Sequence, residues 1–235
     1  MLALPPLAAE PIFYISSFPV TNTLINSTLT MLGFVVFAFF VNKAVKRYQS
    51  KAPGGILNFF ESILELLYKY FDTVTQSRKK TIQFLPLVGS LFLFILVSNW
   101  IGLFPGIGSI GRYLVHEGHV QLIPMFRGAT TDLNLTIGMA VVAVTVSHFF
   151  GISAIGTFKY ANKFVKLGDI WHALKSGKPT EVLTAVIEFF VGLLEIVSEV
   201  AKLLSLSLRL FGNVFAGEVL LTVLAGILPL FLPLP

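Results

Sequence analysis

Arg209 sits inside the apolar run LLSLSLRLFGNVFAGEVLL, with no acidic residue of its own helix in reach. The positions three and four away on either side are Ser205, Leu206, Gly212 and Asn213. A guanidinium keeps its proton at every accessible pH, so a buried one needs an anion or water supplied by another helix or another chain. At membrane depth such a charge costs roughly 2.5–3.5 kcal/mol on insertion scales, which makes function the default reading. The chemistry that fits is ion passage, since an unpaired permanent charge within a membrane helix marks a route along which charge moves.

Seven residues turn a helix by about 700°, roughly 20° short of two full turns. Glu188, Glu195, Lys202 and Arg209 therefore form one slowly drifting row, with Ser198, Glu199, Ser205 and Asn213 beside it. The other faces are mostly Leu, Val, Ile and Phe. Ionisable groups gathered on one side of a membrane helix face protein or a wet cavity and mark an ion path. Glu218 lies nine residues past Arg209, about 900° of rotation, and so on the opposite side. That spacing suits two aqueous approaches divided by the cation, one through Glu195 and Ser198 and the other through Glu218. Blander readings compete: Glu199 and Lys202 are spaced to pair with each other, and Glu218 also suits a hydrated place near the outer interface. His148, alone in an apolar stretch, fits a hydrogen-bonded interior histidine or a proton relay. Asn99, Asp132 and Asn134 either cap helix ends or line an outer cavity.

The elements that hold these residues are membrane helices. Of 235 residues 55% are hydrophobic and only 12% charged, and residues 11–42, 81–111 and 133–158 contain no Asp, Glu, Lys or Arg. Each run exceeds the ~20 apolar residues that cross a ~30 Å hydrocarbon core. The pattern predicts an all-α, polytopic membrane protein forming a single membrane domain. It begins with an outer N-terminal segment over 1–21 and a first span over 22–44. Ile56, Phe59, Phe60, Ile63, Leu67, Tyr70 and Val74 recur at helical spacing opposite polar residues, which predicts an amphipathic helix over 56–77 lying in the interface. Further spans are expected over 82–104 and 132–157, the latter with small residues suited to close packing. Pro179 and Thr180 mark the start of a long helix over 180–224, with Thr180 as its N-cap. At roughly 65 Å that helix is twice the hydrocarbon thickness, so it must tilt strongly, break or extend beyond the membrane; Gly192 and Gly212 are the available bends.

The formal charge of +5 is distributed as topology rather than as a nucleic-acid surface. Eight of the 17 basic residues lie between the first and second spans and five follow the third, whereas the segment between the second and third has only Arg112 and Arg127. The positive-inside rule puts the two basic regions in the cytoplasm and the N-terminus outside. Cysteine is absent, which excludes disulfide and thiol chemistry. The opening residues lack a basic n-region, so a cleaved signal or Arg-rich transit peptide is not expected. No G-x-x-x-x-G-K-[ST] loop occurs, so the sequence shows no ATP-binding motif of that kind.

With those residues in view, SLSLRLFGNVFAGE closely resembles the signature of the F-type ATP synthase subunit a family. The likeness extends through NFFESILELL, LFLFILVSNWIGLFPG and TDLNLT. It implies a non-catalytic stator subunit that passes protons to and from a rotating ring of c subunits, with the peripheral stalk subunit b and other synthase subunits as partners and no cofactor. The transported ion would be H+, with Na+ also compatible. The setting would be a bacterial plasma membrane or an organellar energy-transducing membrane. By the same resemblance Arg209 is the essential arginine facing the ring carboxylate, with Asn213 beside it. Glu195 and Ser198 belong to a cytoplasmic half-channel, and Glu218, Asn99, Asp132 and Asn134 to an outer one. Gly102 stands where some members carry an acid, and family members continue past the equivalent of residues 225–235 into another long helix, so the end of this sequence reads as truncated. The rival reading is a self-contained secondary transporter or ion channel, against which stands the lack of an internal repeat.

Overall fold

The computed structural model describes residues 6–47, 55–104, 106–116, 119–165 and 179–227. A hairpin of β1 (Pro11–Ile15) and β2 (Phe18–Thr21) leads into α1 (Asn22–Arg47), followed by α2 (Ile56–Thr75) and α3 (Arg78–Leu103). A second hairpin, β3 (Gly111–His116) and β4 (His119–Pro124), precedes α4 (Leu133–Ile155), α5 (Thr157–Val165) and α6 (Pro179–Ile227). Each hairpin is a separate antiparallel pair; β3 runs from Gly111 opposite Pro124 to His116 opposite His119. No larger sheet is present among the described residues, and the all-α class holds.

Among the described residues three helices are long and apolar enough to cross a membrane: Asn22–Lys46, Arg78–Leu103 and Leu133–Ile155. At 1.5 Å per residue they measure about 35–39 Å, enough for the hydrocarbon core. Their burial is inverted relative to a water-soluble protein. On α1, Met31, Leu32, Val35, Val36, Phe39 and Phe40 are all more than half exposed, while Asn22, Thr23 and Asn26 are fully buried. In lipid, apolar side chains face the solvent freely, and it is the polar groups that must find partners inside.

Contacts divide the chain into two units, Met1–Thr131 with Gly217–Pro235, and Asp132–Ala216. In the first, Asn26 of α1 donates from Nδ2 to the carbonyls of Ser98 and Arg127, each at 2.7 Å. The end of α3 approaches the following loop so closely that a Cβ at Gly102 would collide with the backbone of Gly128. An acidic side chain at position 102 therefore has no room in this chain. At the other end of α3, the buried Thr81 hydroxyl donates to Asp72 Oδ1 at 2.9 Å and closes the tight turn after α2, where Gln76 is left-handed. Phe60 of α2 packs against Phe37 of α1, the rings tilted by 56° with centres 4.4 Å apart.

In the second unit α5 folds back on α4, and the Tyr160 ring lies where a side chain at Gly151 would be. In the sequence this stretch stands out only as part of the basic segment after the third span. A nine-residue helix forms there because Tyr160, Lys163 and Phe164 all find partners on α4 and α6. Helix α6 is described from Pro179, a residue whose fixed φ and missing N–H suit a first helical position. Thr180 is thus inside the helix rather than capping it, and its carbonyl accepts from the Thr184 hydroxyl at 3.0 Å. The hydrogen-bonded helix continues through Gly192 and Gly212 for 49 residues. The expectation for the chain's end falls from residue 228 onward outside the described residues.

Candidate functional site

The polar row of α6 is realised as one edge of a cavity of about 490 Å³ in the second unit, lined by Ser198, Ala201, Lys202, Ser205, Leu206 and Arg209 together with Val144 of α4. Four of those seven residues are polar members of the row, spaced at three, four and seven as one helix face requires. Arg209 is exposed, and its Nη2 makes only a long 3.5 Å contact to Ser205 Oγ. Among the described residues it has no carboxylate partner. Asn213, one turn on, is exposed as well. The cation thus stands at the end of a polar groove on a helix face that is open to a partner.

Toward the start of the row the charges are paired. Lys163 Nζ lies 2.7 Å from Glu195 Oε1 and 3.9 Å from Glu199 Oε1, and Lys202 Nζ lies 2.9 Å from Glu199 Oε1. The i, i+3 pairing of Glu199 with Lys202 is therefore formed, although Glu199 serves three elements rather than one. The hydrogen bond to Glu195, with help from both carboxylate charges and against a little desolvation, raises the Lys163 pKa above its ordinary 10.5. His148 shares a 2.5 Å hydrogen bond with the Tyr160 hydroxyl through Nδ1 and points Nε2 at Glu199 Oε2, 4.0 Å away. The ring is hydrogen-bonded through one nitrogen, half-buried, and faces a carboxylate with the other.

The outer residues divide differently. Asn99, at 8% exposure, accepts at Oδ1 from the backbone N–H and the hydroxyl of Thr130, 3.2 and 2.9 Å away. It thereby orders the loop before α4. Asp132 is the N-cap of α4, its carboxylate accepting from Asn134 N at 2.9 Å, and the Asn134 side chain is exposed on that first turn. Glu218 is engaged by a residue that sequence reasoning passed over. Arg127, only 3% exposed, donates from Nε to both Glu218 oxygens at 3.0 and 3.2 Å and from Nη2 to Oε2 at 3.0 Å. A cation flanked by Phe126 and Gly128 is the signal that existed, and counting it only as a loop charge concealed it.

Among the described residues no group of three or more His, Cys, Asp or Glu side chains is arranged to hold a metal ion. The arrangement offers instead a fixed cation, a groove of hydroxyls and paired charges, and a separately clamped carboxylate, all suited to moving protons. Comparison with known proteins agrees in kind. The family described as ATP synthase A chain matches residues 25–234. The ATP synthase subunit a of Mycobacterium bovis is 30% identical over 205 residues, 87% of this chain and 70% of the relative. That of Gloeobacter violaceus is 27% identical over 216 residues, 91% and 72% of the two chains.

Proposed function

Since the chain belongs to the ATP synthase A chain family and is a multi-pass membrane protein, we propose that it is the stator through which protons reach and leave a rotating ring of c subunits, with Arg209 at the point of contact. The observation that carries this reading is the exposed Arg209 guanidinium at the end of a polar groove, without a carboxylate of its own among the described residues. A cation left in that condition on a membrane helix needs a partner acid from another chain.

The steps follow from charge. A protonated ring carboxyl nearing Arg209 loses its proton, since the fixed cation favours the anion. The proton leaves by one approach, and the carboxylate stays beside the guanidinium. Rotation brings a carboxylate out to the other approach, where protonation lets it return to lipid at lower cost. Arg209 never carries the proton itself and so divides the two approaches. Ser198 and Glu195, with Lys202 and Ser205, form the cytoplasmic approach; Glu218, with Asn99, Asp132 and Asn134, belongs to the outer one, and Asn213 flanks the ring contact. His148 stands beside the cytoplasmic approach as a relay that hands protons toward Glu199. In this orientation the N-terminus is outside, the basic segments are cytoplasmic, and the chain sits in a bacterial plasma membrane with the peripheral stalk subunit b and other synthase subunits as partners. The driving term is the membrane potential, about 2.3 kcal/mol per charge per 100 mV, plus the pH gradient.

Arg209→Ala in the assembled complex is expected to abolish proton-driven ATP synthesis, measured in energised vesicles. Coupled synthesis at the unaltered rate would remove the basis of the assignment.

A further inference from the structure

The strongest polar contact outside the row is the fork between Arg127 and Glu218. It joins residues 91 apart in sequence through three hydrogen bonds of 3.0–3.2 Å. The two partners are unequally enclosed: Arg127 is 3% exposed at its side chain, Glu218 24%. The guanidinium is also fixed to the frame. Its Nη1 donates to the Ala8 carbonyl at 3.4 Å, and its own carbonyl accepts from Asn26, which also holds the end of α3. The neighbouring Gly128 is backed against Gly102. A planar fork with five donors fixes both the position and the plane of a carboxylate, which a lysine ammonium cannot do. Such an immobile clamp on a partly open acid is more than stability requires, because buried ion pairs contribute little net stability relative to apolar replacements.

We propose that Arg127 is a positioning residue for proton transfer at Glu218: it holds the carboxylate plane so that the open edge alone exchanges protons with the outer approach. Arg127 does not touch the transferred proton. It fixes the angle at which Glu218 receives it, and each passage requires the fork to loosen on the side where the proton binds. The assignment rests on the proposed function, in which Glu218 belongs to the outer half-channel.

The test uses the whole complex in membrane vesicles, with passive proton conductance measured after the catalytic sector is stripped and outer and cytoplasmic pH varied independently. Arg127→Gln is expected to reduce conductance by roughly tenfold or more, the scale of loss when a reacting group is misplaced. Arg127→Lys is expected to restore most of the maximal rate while moving the outer-pH midpoint and leaving the cytoplasmic-pH midpoint in place. A purely structural arginine would not produce that one-sided shift. If Arg127→Gln does not assemble, the lysine variant alone decides. Lysine and glutamine variants that conduct with wild-type rates and midpoints overturn the proposal, as does loss of assembly in both, which would assign Arg127 to folding. Arg209→Ala, assayed for proton-driven ATP synthesis in vesicles that keep the catalytic sector, separates the two levels: retained coupling there defeats the function, whereas lost coupling with an unmoved outer-pH midpoint in Arg127→Lys defeats only this inference.

Discussion

Arg127 and Arg209 carry the same permanent charge and are treated in opposite ways. Arg127 is sealed from solvent with a carboxylate in its fork, whereas Arg209 is exposed and meets only a serine hydroxyl at 3.5 Å. One charge is satisfied within the chain, and the other meets no carboxylate among the described residues. Cysteines placed at Leu206, Arg209 or Asn213, on the same exposed face, are expected to crosslink to a small partner helix under mild oxidation in the complex. Crosslinks obtained only from the opposite face would relocate the ring contact. The Lys163 pair with Glu195 makes a prediction of a different sign. Because the folded pKa of Lys163 lies above its ordinary 10.5, its contribution is complete below that value and is lost as pH rises through the folded one. The contact between α5 and α6 should therefore persist throughout the neutral range and loosen only in strong alkali, as read by spin-label distances. Lys163→Gln should cost under about 1 kcal/mol, since the pair is substantially exposed and screened.

Among the elements, α1 and α3 depend on polar capture rather than on apolar packing. Removing the Asn26 amide deletes two buried hydrogen bonds that tie α1 to α3 and to the loop at Arg127, so Asn26→Ala should destabilise the first unit by roughly 1–3 kcal/mol, measured by thermal unfolding in detergent. Gly102→Ala should be worse tolerated than a surface change, by about 1–3 kcal/mol, since the added carbon meets backbone rather than a mobile side chain. The apolar helices were legible from sequence because a charge-free run and a 3.6-residue period are local properties. The polar row of α6 was legible for the same reason. The partners of its members were not. Glu195 finds Lys163 on a helix too short and too charged to read from periodicity, and Glu218 finds Arg127 across 91 residues. The two hairpins were missed because strands of four to six residues, one pair before the first membrane helix and one between the second and third, carry little patterning of their own.

At the scale of the whole chain, the membrane helices expose hydrocarbon while the amides and hydroxyls of Asn22, Asn26, Thr81 and Thr136 are buried, so detergent micelles stand in for lipid around them. Reconstituted without its ring, the chain is expected to show no ion conductance above protein-free liposomes under an imposed potential; steady conductance would favour a self-contained channel. The inward-facing amide of Asn26 has one more consequence, which concerns time. Asn26 leaves the ribosome 72 residues ahead of Ser98 and 101 residues ahead of Arg127, whose carbonyls it will serve. At about 5–20 residues per second the newborn first helix waits roughly 4–20 seconds for them. Throughout that interval its apolar half can enter the bilayer while its polar end cannot rest there unaided, so biogenesis must shelter that end, in the insertion machinery or in headgroup water, until the later segments arrive.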